Sequence, residues 1–403
     1  MWYRNPYFLL NGIFTSILLI SGISCSRIEH TDTSSNQEQS QSDKPQHEDK
    51  PSKQKSLYIT GLEFPKGHNW KPDVGTGSVE AKIFLMKDGE RILEIPTGAI
   101  HETSIDSDMH KCFDGELYTI FNNGHESIVK RNGEETVRFP DTGIIYDFFA
   151  EKDKIHTLSK KGKGFVYCVN GNPVFECKNG LTYPGIYKDG KMTVFTYKEI
   201  KETGYNYNYG YIGDGSSYTL DVKGFREIES LVIDNKILHY LGVDQRKSFR
   251  WYVTNNHEIK IGDSDNGYIA NTRLSLDVDG NAFIIGDCYY EIGTFPAIWN
   301  KDGNVTQENY DSRIALARAN ENRIYYVVKP EDPSEKITIK CGRYEIHSLP
   351  NHYDIICPAN IDVNDDTCCI ALHNSKDNKP VIWKDGITTE FDFNGFFTSV
   401  TYQ

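Results

Sequence analysis

The chain has 403 residues, 38% of them hydrophobic and 12% aromatic, and 57 acidic against 44 basic side chains give a formal net charge of −13. This length is enough for a large core. The acidic balance argues against nucleic acid and against an anionic membrane face as partners, and it leaves neutral ligands such as sugars open.

The first 24 residues read as an export signal. Arg4 supplies a positive start, Phe8 to Ile20 is largely apolar with Asn11-Gly12 as an interruption, and Gly22-Ile23-Ser24 precedes Cys25. A short apolar stretch followed by small residues is a cleaved signal, because it is too short to span a bilayer. Gly22-Ile23-Ser24-Cys25 resembles the lipobox of bacterial lipoproteins, with Gly22 where Leu is usual. The resemblance implies cleavage before Cys25 and lipidation of its thiol. An ordinary secretory cut near Ser24 is the alternative. Cleavage removes Arg4 alone among the charges, so the net charge goes from −13 to −14.

Residues 25–56 are expected to be the lipidated cysteine and a disordered tether. From Ser26 to Lys55 there is no Phe, Trp or Tyr, and Ser, Gln, Glu, Asp, Lys and Pro dominate. Such a segment buries too little apolar surface to fold. One acyl chain anchors only marginally, and lipoproteins carry more than one, so the expected location is the bacterial envelope, at the outer membrane, on an unassigned face.

From Leu57 onward a repeat takes over. Asp88-Gly89, Asn132-Gly133, Asn170-Gly171, Asp214-Gly215, Asn255-Asn256, Asp302-Gly303, Cys341-Gly342 and Asp385-Gly386 follow one another at steps of 38 to 47 residues. A second series lies between them: Asp114-Gly115, Asp153-Lys154, Asp189-Gly190, Asp234-Asn235, Asp279-Gly280, Asn320-Glu321 and Asp365-Asp366. Asn or Asp followed by Gly, between β-prone runs, is a hairpin signal, since such turns need positive φ. The flanking runs include Ile83-Phe84-Leu85-Met86, Phe165-Val166-Tyr167-Cys168, Pro296-Ala297-Ile298-Trp299 and Pro380-Val381-Ile382-Trp383. The unit is therefore four strands in about 43 residues, the period of a propeller blade.

The ends fix how the ring closes. The first turn series has eight members and the second has seven. Leu57-Tyr58-Ile59-Thr60-Gly61-Leu62 looks like a second strand, and Phe396 to Tyr402 looks like a first strand. A C-terminal strand that completes the N-terminal blade accounts for both and removes an open edge. The expected fold is all-β: residues 57–403 as a single β-propeller of eight four-stranded blades closed by the C-terminal strand. Seven blades is the alternative if the irregular unit at Ile337 to Leu349 does not form, and two smaller domains is a more distant one.

Trp383-Lys384-Asp385-Gly386, and Trp299-Asn300-Lys301-Asp302-Gly303 with Asn300 as an insertion, resemble the Trp-Lys-Asn/Asp-Gly hairpin of exported propeller lipoproteins of Bacteroidetes-type bacteria. The resemblance implies fold and compartment, and it carries no catalytic residue over.

Eight cysteines remain after Cys25, and an exported chain permits disulfides among them. Most are expected to be small buried residues, with one or two bridges. Cys168 and Cys177 flank a turn without being opposite each other. Cys368 and Cys369 should face opposite sides of a strand.

No catalytic signature is present: no Gly-x-Ser-x-Gly, no His-Glu-x-x-His and no phosphate-binding glycine loop. Asp277-Val278-Asp279-Gly280 and Asn360 to Asp366 are rich in oxygen ligands but sit on repeat turns and lack the distal Glu of a calcium loop. Neither metal nor cofactor is expected. Tyr205, Tyr207, Tyr209 and Tyr211 alternate with Asn206, Asn208 and Gly210, so in a strand they share one face. They could stack on sugar rings or pack against the next blade. Loops at the channel end of a propeller supply the other candidates: Trp70, His101, Tyr146, Asp147, Arg273, Arg313 and Tyr353. The leading expectation is a non-enzymatic binding protein with a carbohydrate or protein ligand. A carbohydrate-active hydrolase or lyase and a structural envelope component are the alternatives.

Overall fold

The computed structural model describes residues 55–68, 78–101, 110–122, 126–140, 144–151, 153–183, 187–189, 192–201, 207–213, 216–220, 225, 227–234, 237–243, 249–254, 257–261, 268–276, 280–290, 293–320, 323–357 and 359–403. The export signal, Cys25 and the tether lie outside these residues.

The strands form eight antiparallel blades. Blade 1 joins Leu57–Glu63, Ser78–Lys87 and Glu90–His101 to the C-terminal strand Gly395–Tyr402. Blade 2 is His110–Phe113, Glu116–Asn122, Glu126–Arg131 and Glu134–Pro140; blade 3 is Ile144–Glu151, Lys154–Lys161, Gly164–Val169 and Asn172–Cys177. Blade 4 has its first strand in two pieces, Gly180–Thr182 and Tyr187–Asp189, followed by Met192–Ile200, Tyr207–Gly213 and Ser216–Leu220. Blade 5 is Glu227–Asp234, Ile237–Val243, Arg250–Thr254 and His257–Ile261; blade 6 is Tyr268–Leu276, Ala282–Tyr290, Gly293–Asn300 and Val305–Gln307. Blade 7 is Ser312–Asn320, Arg323–Pro330, Ile337–Cys341 and Tyr344–Leu349. Blade 8 begins with Tyr353–Asp354 and Ile361–Asn364 and continues through Thr367–Asn374, Lys379–Lys384 and Ile387–Glu390. The irregular unit does form, so the count is eight.

The core has the same eightfold arrangement. Eight apolar clusters lie one at each junction between neighbouring blades. At the closing junction, Cys369, Ala371 and Ile382 of blade 8 meet Leu57, Ile59, Phe84 and Met86 of blade 1 and Phe397 and Val400 of the last strand. A twisted sheet buries both faces when another sheet stacks on each side, and a closed ring does this for every blade. Trp299 and Trp383, which precede the Asp-Gly turns, are buried in the junctions 5/6 and 7/8.

Closure is by backbone pairing. Leu57 to Glu63 runs antiparallel to Tyr402 to Gly395. Ser56 and Gln403 exchange two N–H···O bonds of 3.0 Å. The Gln403 amide donates to Cys112 O at 2.7 Å and accepts from Gly115 N at 2.9 Å, tying blade 1 to blade 2. Gly395 is required there, because a Cβ would sit 1.9 Å from Leu62 O.

The hairpin turns have the geometry their sequence demands. Asp88, Asp114, Asn132, Asn170 and Asp385 have φ of 47° to 50°, and the glycines after them 77° to 91°. Asp214-Gly215 and Asn255-Asn256 lie outside the described residues, and among the described turns of that series two depart. Cys341 ends its strand, so that turn is Gly342-Arg343. In blade 6 the inserted Asn300 makes a longer loop: its side chain accepts from Asp302 N at 3.0 Å and Asn304 N at 2.9 Å.

The eight cysteines from Cys112 to Cys369 are free thiols, and all but Cys341 are buried. The one or two expected bridges are not formed: Cys112 and Cys357 share junction 1/2, and Cys341 and Cys368 share junction 7/8, without bonding, and the other four face different junctions. Cys368 points into junction 7/8 and Cys369 into 8/1. Cys168 pairs with Pro173 and Cys177 with Phe165. Burial pushes the Cys112 and Cys369 thiols up to about 12 and Cys168 up to about 11, so they are packing groups and not nucleophiles.

Candidate functional site

The first strands line the ring's interior, and in five of the eight blades the first strand carries a bulge. In blade 1 the extra residue is Thr398, in blade 3 Tyr146, in blade 5 Glu229 and in blade 7 Ala315. In blade 6, Asn271 and Thr272 oppose Gly286 alone. A bulge adds one residue, breaks the alternation of faces and re-aims a side chain. It is visible in the spacing of buried residues. Ile145 and Phe148, Ile228 and Leu231, and Phe397 and Val400 are three apart where an unbroken strand would set them two apart.

Two of these bulges reach the first strand of the next blade. The Tyr146 hydroxyl bonds Thr182 Oγ1 of blade 4 at 2.9 Å. Glu229 reaches Thr272 of blade 6, whose Oγ1 donates to Glu229 Oε2 at 2.5 Å. Arg250 grips the same carboxylate with both arms, Nε to Oε2 at 3.0 Å and Nη2 to Oε1 at 2.6 Å. Blade 4 braces this bulge from behind: Tyr183 Oη donates to Ile228 O at 2.8 Å, and Ile228 N donates to Tyr209 Oη at 3.0 Å.

The blade 6 bulge differs from the others. Asn271 has φ of 54° and is the one non-glycine residue of positive φ that lies inside a strand among the described residues. Its Nδ2 donates to Asp287 Oδ2 at 2.8 Å and to Tyr289 Oη at 3.0 Å. Burial pushes the Asp287 carboxyl above its ordinary range, against the opposing pull of the Asn271 hydrogen bond. Arg273 pairs with Ile285, and Asp287 and Tyr289 lie two and four residues further along that second strand, on the same face. Arg273 is exposed and has no ion pair among the described residues. Adjacent bulge residues thus contact two carboxylates, Glu229 through Thr272 and Asp287 through Asn271. One carboxylate holds a guanidinium, and the other is partly desolvated with an amide and a phenol for company.

The residues named from sequence fall into three groups. Trp70, Tyr205 and Cys25 lie outside the described residues, and of His101 only the backbone is described, paired with Ser78 at the end of its strand. Tyr146, Asp147, Tyr209 and Tyr353 are engaged in inter-blade contacts. Asp147 accepts from Lys111 Nζ of blade 2 at 2.6 Å. Tyr209 is buried in junction 4/5, where burial pushes its hydroxyl up to about 12. Tyr353 is buried in junction 7/8. Tyr207 lies 6.0 Å from Tyr209, ring to ring, and Tyr211 stacks at 4.6 Å on Tyr218 of the neighbouring strand. Arg273 and Arg313 are exposed on the first strands of blades 6 and 7. Of the acidic stretch at 360–366, Asn360 donates to Phe397 O, Asp362 binds Arg318 and Tyr402 N, and Asp366 pairs with Arg323.

Sequence reasoning missed Glu229, Arg250, Asn271, Asp287 and Tyr289. None belongs to a motif. The one available signal was the three-residue spacing of apolar positions, which marks the bulge at Glu229.

No known family and no curated protein matches the sequence. Solved structures match it in shape. Dihydro-heme d1 dehydrogenase NirN is 10% identical over 86% of this chain and 74% of its own, with a TM-score of 0.52. A quinonprotein alcohol dehydrogenase-like protein from Bacteroides thetaiotaomicron is 10% identical over 86% of this chain and 91% of its own, with a TM-score of 0.37. The β-propeller domain of the Trilobed protease from Pyrococcus furiosus is 10% identical over 66% and 86%, with a TM-score of 0.40. At such identities the likeness is one of fold, and the fold of this chain is an eight-bladed β-propeller.

Proposed function

We propose that this chain is an exported lipoprotein, lipidated at Cys25 and anchored in a bacterial envelope at the outer membrane. In this reading its propeller binds a carbohydrate or protein ligand without converting it. The short apolar run before Gly22-Ile23-Ser24-Cys25, the polar stretch after it and the Trp-Lys-Asp-Gly hairpin support the compartment and a kinship with propeller lipoproteins of Bacteroidetes-type bacteria. The observation that carries binding is Asn271. A left-handed asparagine inside a strand costs backbone energy, and it holds an amide against Asp287 and Tyr289 beside Arg273, which has no ion pair among the described residues. The test is a glycan-array screen of the protein with turnover followed on every hit. Saturable binding without product supports the reading, and product formation overturns its non-enzymatic part.

One observation favours a second reading, a carbohydrate-active enzyme. Glu229 and Asp287 flank consecutive residues of one bulge in environments that differ, which is how paired carboxylates divide acid and base roles. Loss of any turnover in Asp287→Asn with binding retained would support it.

A further inference from the structure

We propose that the blade 6 bulge binds a hydroxylated ligand that carries a carboxylate, a uronic-acid sugar, with Arg273 taking the carboxylate and Asn271 and Asp287 taking hydroxyls. This rests on the binding reading above and specifies its ligand.

Charge points to an anionic ligand. The chain is net acidic, and three arginines of blades 5 and 7 are paired, Arg250 with Glu229, Arg318 with Asp362 and Arg323 with Asp366, while Arg313 on the first strand of blade 7 is exposed with no ion pair among the described residues. Arg273 sits among them on the first strand of blade 6, exposed, with no ion pair among the described residues. A guanidinium presents a planar fork of donors that matches a carboxylate in two parallel bonds.

Hydrogen-bonding capacity points to hydroxyls. Both donated bonds of the Asn271 side chain come from Nδ2, one to Asp287 and one to Tyr289. Its Oδ1 remains an acceptor, as does the second oxygen of Asp287. Two acceptors side by side suit neighbouring hydroxyls. A peptide offers alternating N–H and C=O groups and uses such a pair less well.

Spacing lets one ligand meet both groups. Arg273 lies opposite Ile285, and Asp287 is two residues further along the same face, about 7 Å away by strand geometry. One small ligand can therefore lie across both residues. Asn271, at the bulge, is displaced toward Asp287, and its positive φ fixes this placement.

The test uses the full chain in mild detergent and titration calorimetry with matched probes: trimers of galacturonate, glucuronate and mannuronate, and the same trimers with every carboxylate methyl-esterified. The ester keeps the hydroxyls and removes the charge. The expected result is that at least one acid trimer binds tenfold or more tighter than its ester. Arg273→Gln should bring the acid down to the level of the ester while leaving thermal melting unchanged, and Asn271→Gly should weaken acid and ester alike. Equal affinity for acid and ester, an acid preference that survives Arg273→Gln, or no binding of any trimer would overturn the uronate assignment. Failure of the binding reading is separate: it would be an array on which no glycan of any class binds, together with no protein partner.

Discussion

Asn132 holds the start of a strand fifteen residues before it: its Oδ1 accepts from Leu117 N at 2.9 Å while its own N–H donates to Leu117 O at 2.7 Å. Asn170 does the same to Ile155, Asp88 to Leu57 and Asp385 to Cys368. The turn residue therefore supplies positive φ for the hairpin and caps the second strand of its blade. Alanine should fail on both counts. Asn132→Ala is expected to cost about 1–3 kcal/mol from a lost bond and a left-handed Cβ. Asn132→Asp should be nearly neutral, since Asp88 and Asp385 fill the same role. Urea unfolding of the two variants checks this, and equal stability of the alanine variant would contradict it.

The double role of these residues explains why the fold could be read from sequence. The turns recur at blade spacing because four of the described blades use the same cap. The closing strand was legible because Phe396 to Tyr402 had no other partner in an eight-unit count. Much of the candidate site was not legible. Glu229, Asn271 and Asp287 come from two blades and are brought together by bulges, which depend on register between strands that sequence does not record. Tyr209 shows the converse: the tyrosine row stood out, yet this member of it braces the blade 5 bulge through Ile228 N.

That bracing has a consequence. Tyr209→Phe leaves the buried Ile228 N–H without its partner and should destabilise the ring by about 1–3 kcal/mol. Calorimetric melting measures this. An unchanged melting temperature would show that Tyr209 contributes no structural bond.

Ring closure predicts an all-or-none response at the C-terminus. A chain ending at Asn394 loses the innermost strand of blade 1 and exposes the edge of Leu57–Glu63, so it should aggregate. Gln403→Ala removes only the side-chain ties to Cys112 and Gly115 and should cost about 1 kcal/mol. Size-exclusion chromatography and melting separate the two cases. A monomeric, cooperatively melting truncation would contradict closure.

Acid should weaken the ring through buried histidines. Burial lowers the pKa of His239 and His373 in the fold, against smaller opposing effects of Asp234 and Asp354. In the unfolded chain both titrate near about 6.5. Their stabilising contribution is thus complete above that pH. It is lost as pH falls below it, because the unfolded chain takes up protons that the fold refuses, at up to about 1.4 kcal/mol per pH unit for each histidine. Melting temperature should be flat from pH 7 to 8 and should fall below about pH 6.5, with a shallower fall in His239→Gln. An identical slope in that variant would remove His239 from the account.

In the proposed reading, ligand meets the ring at the bulges of blades 5 and 6. Hydrogen–deuterium exchange of the full chain, with and without a saturating glycan found by array screening, tests it directly. Slowed exchange is expected in residues 227–231, 268–276 and 284–289, with little change in the outer strands. Protection confined to other blades, with these segments unchanged, would contradict it.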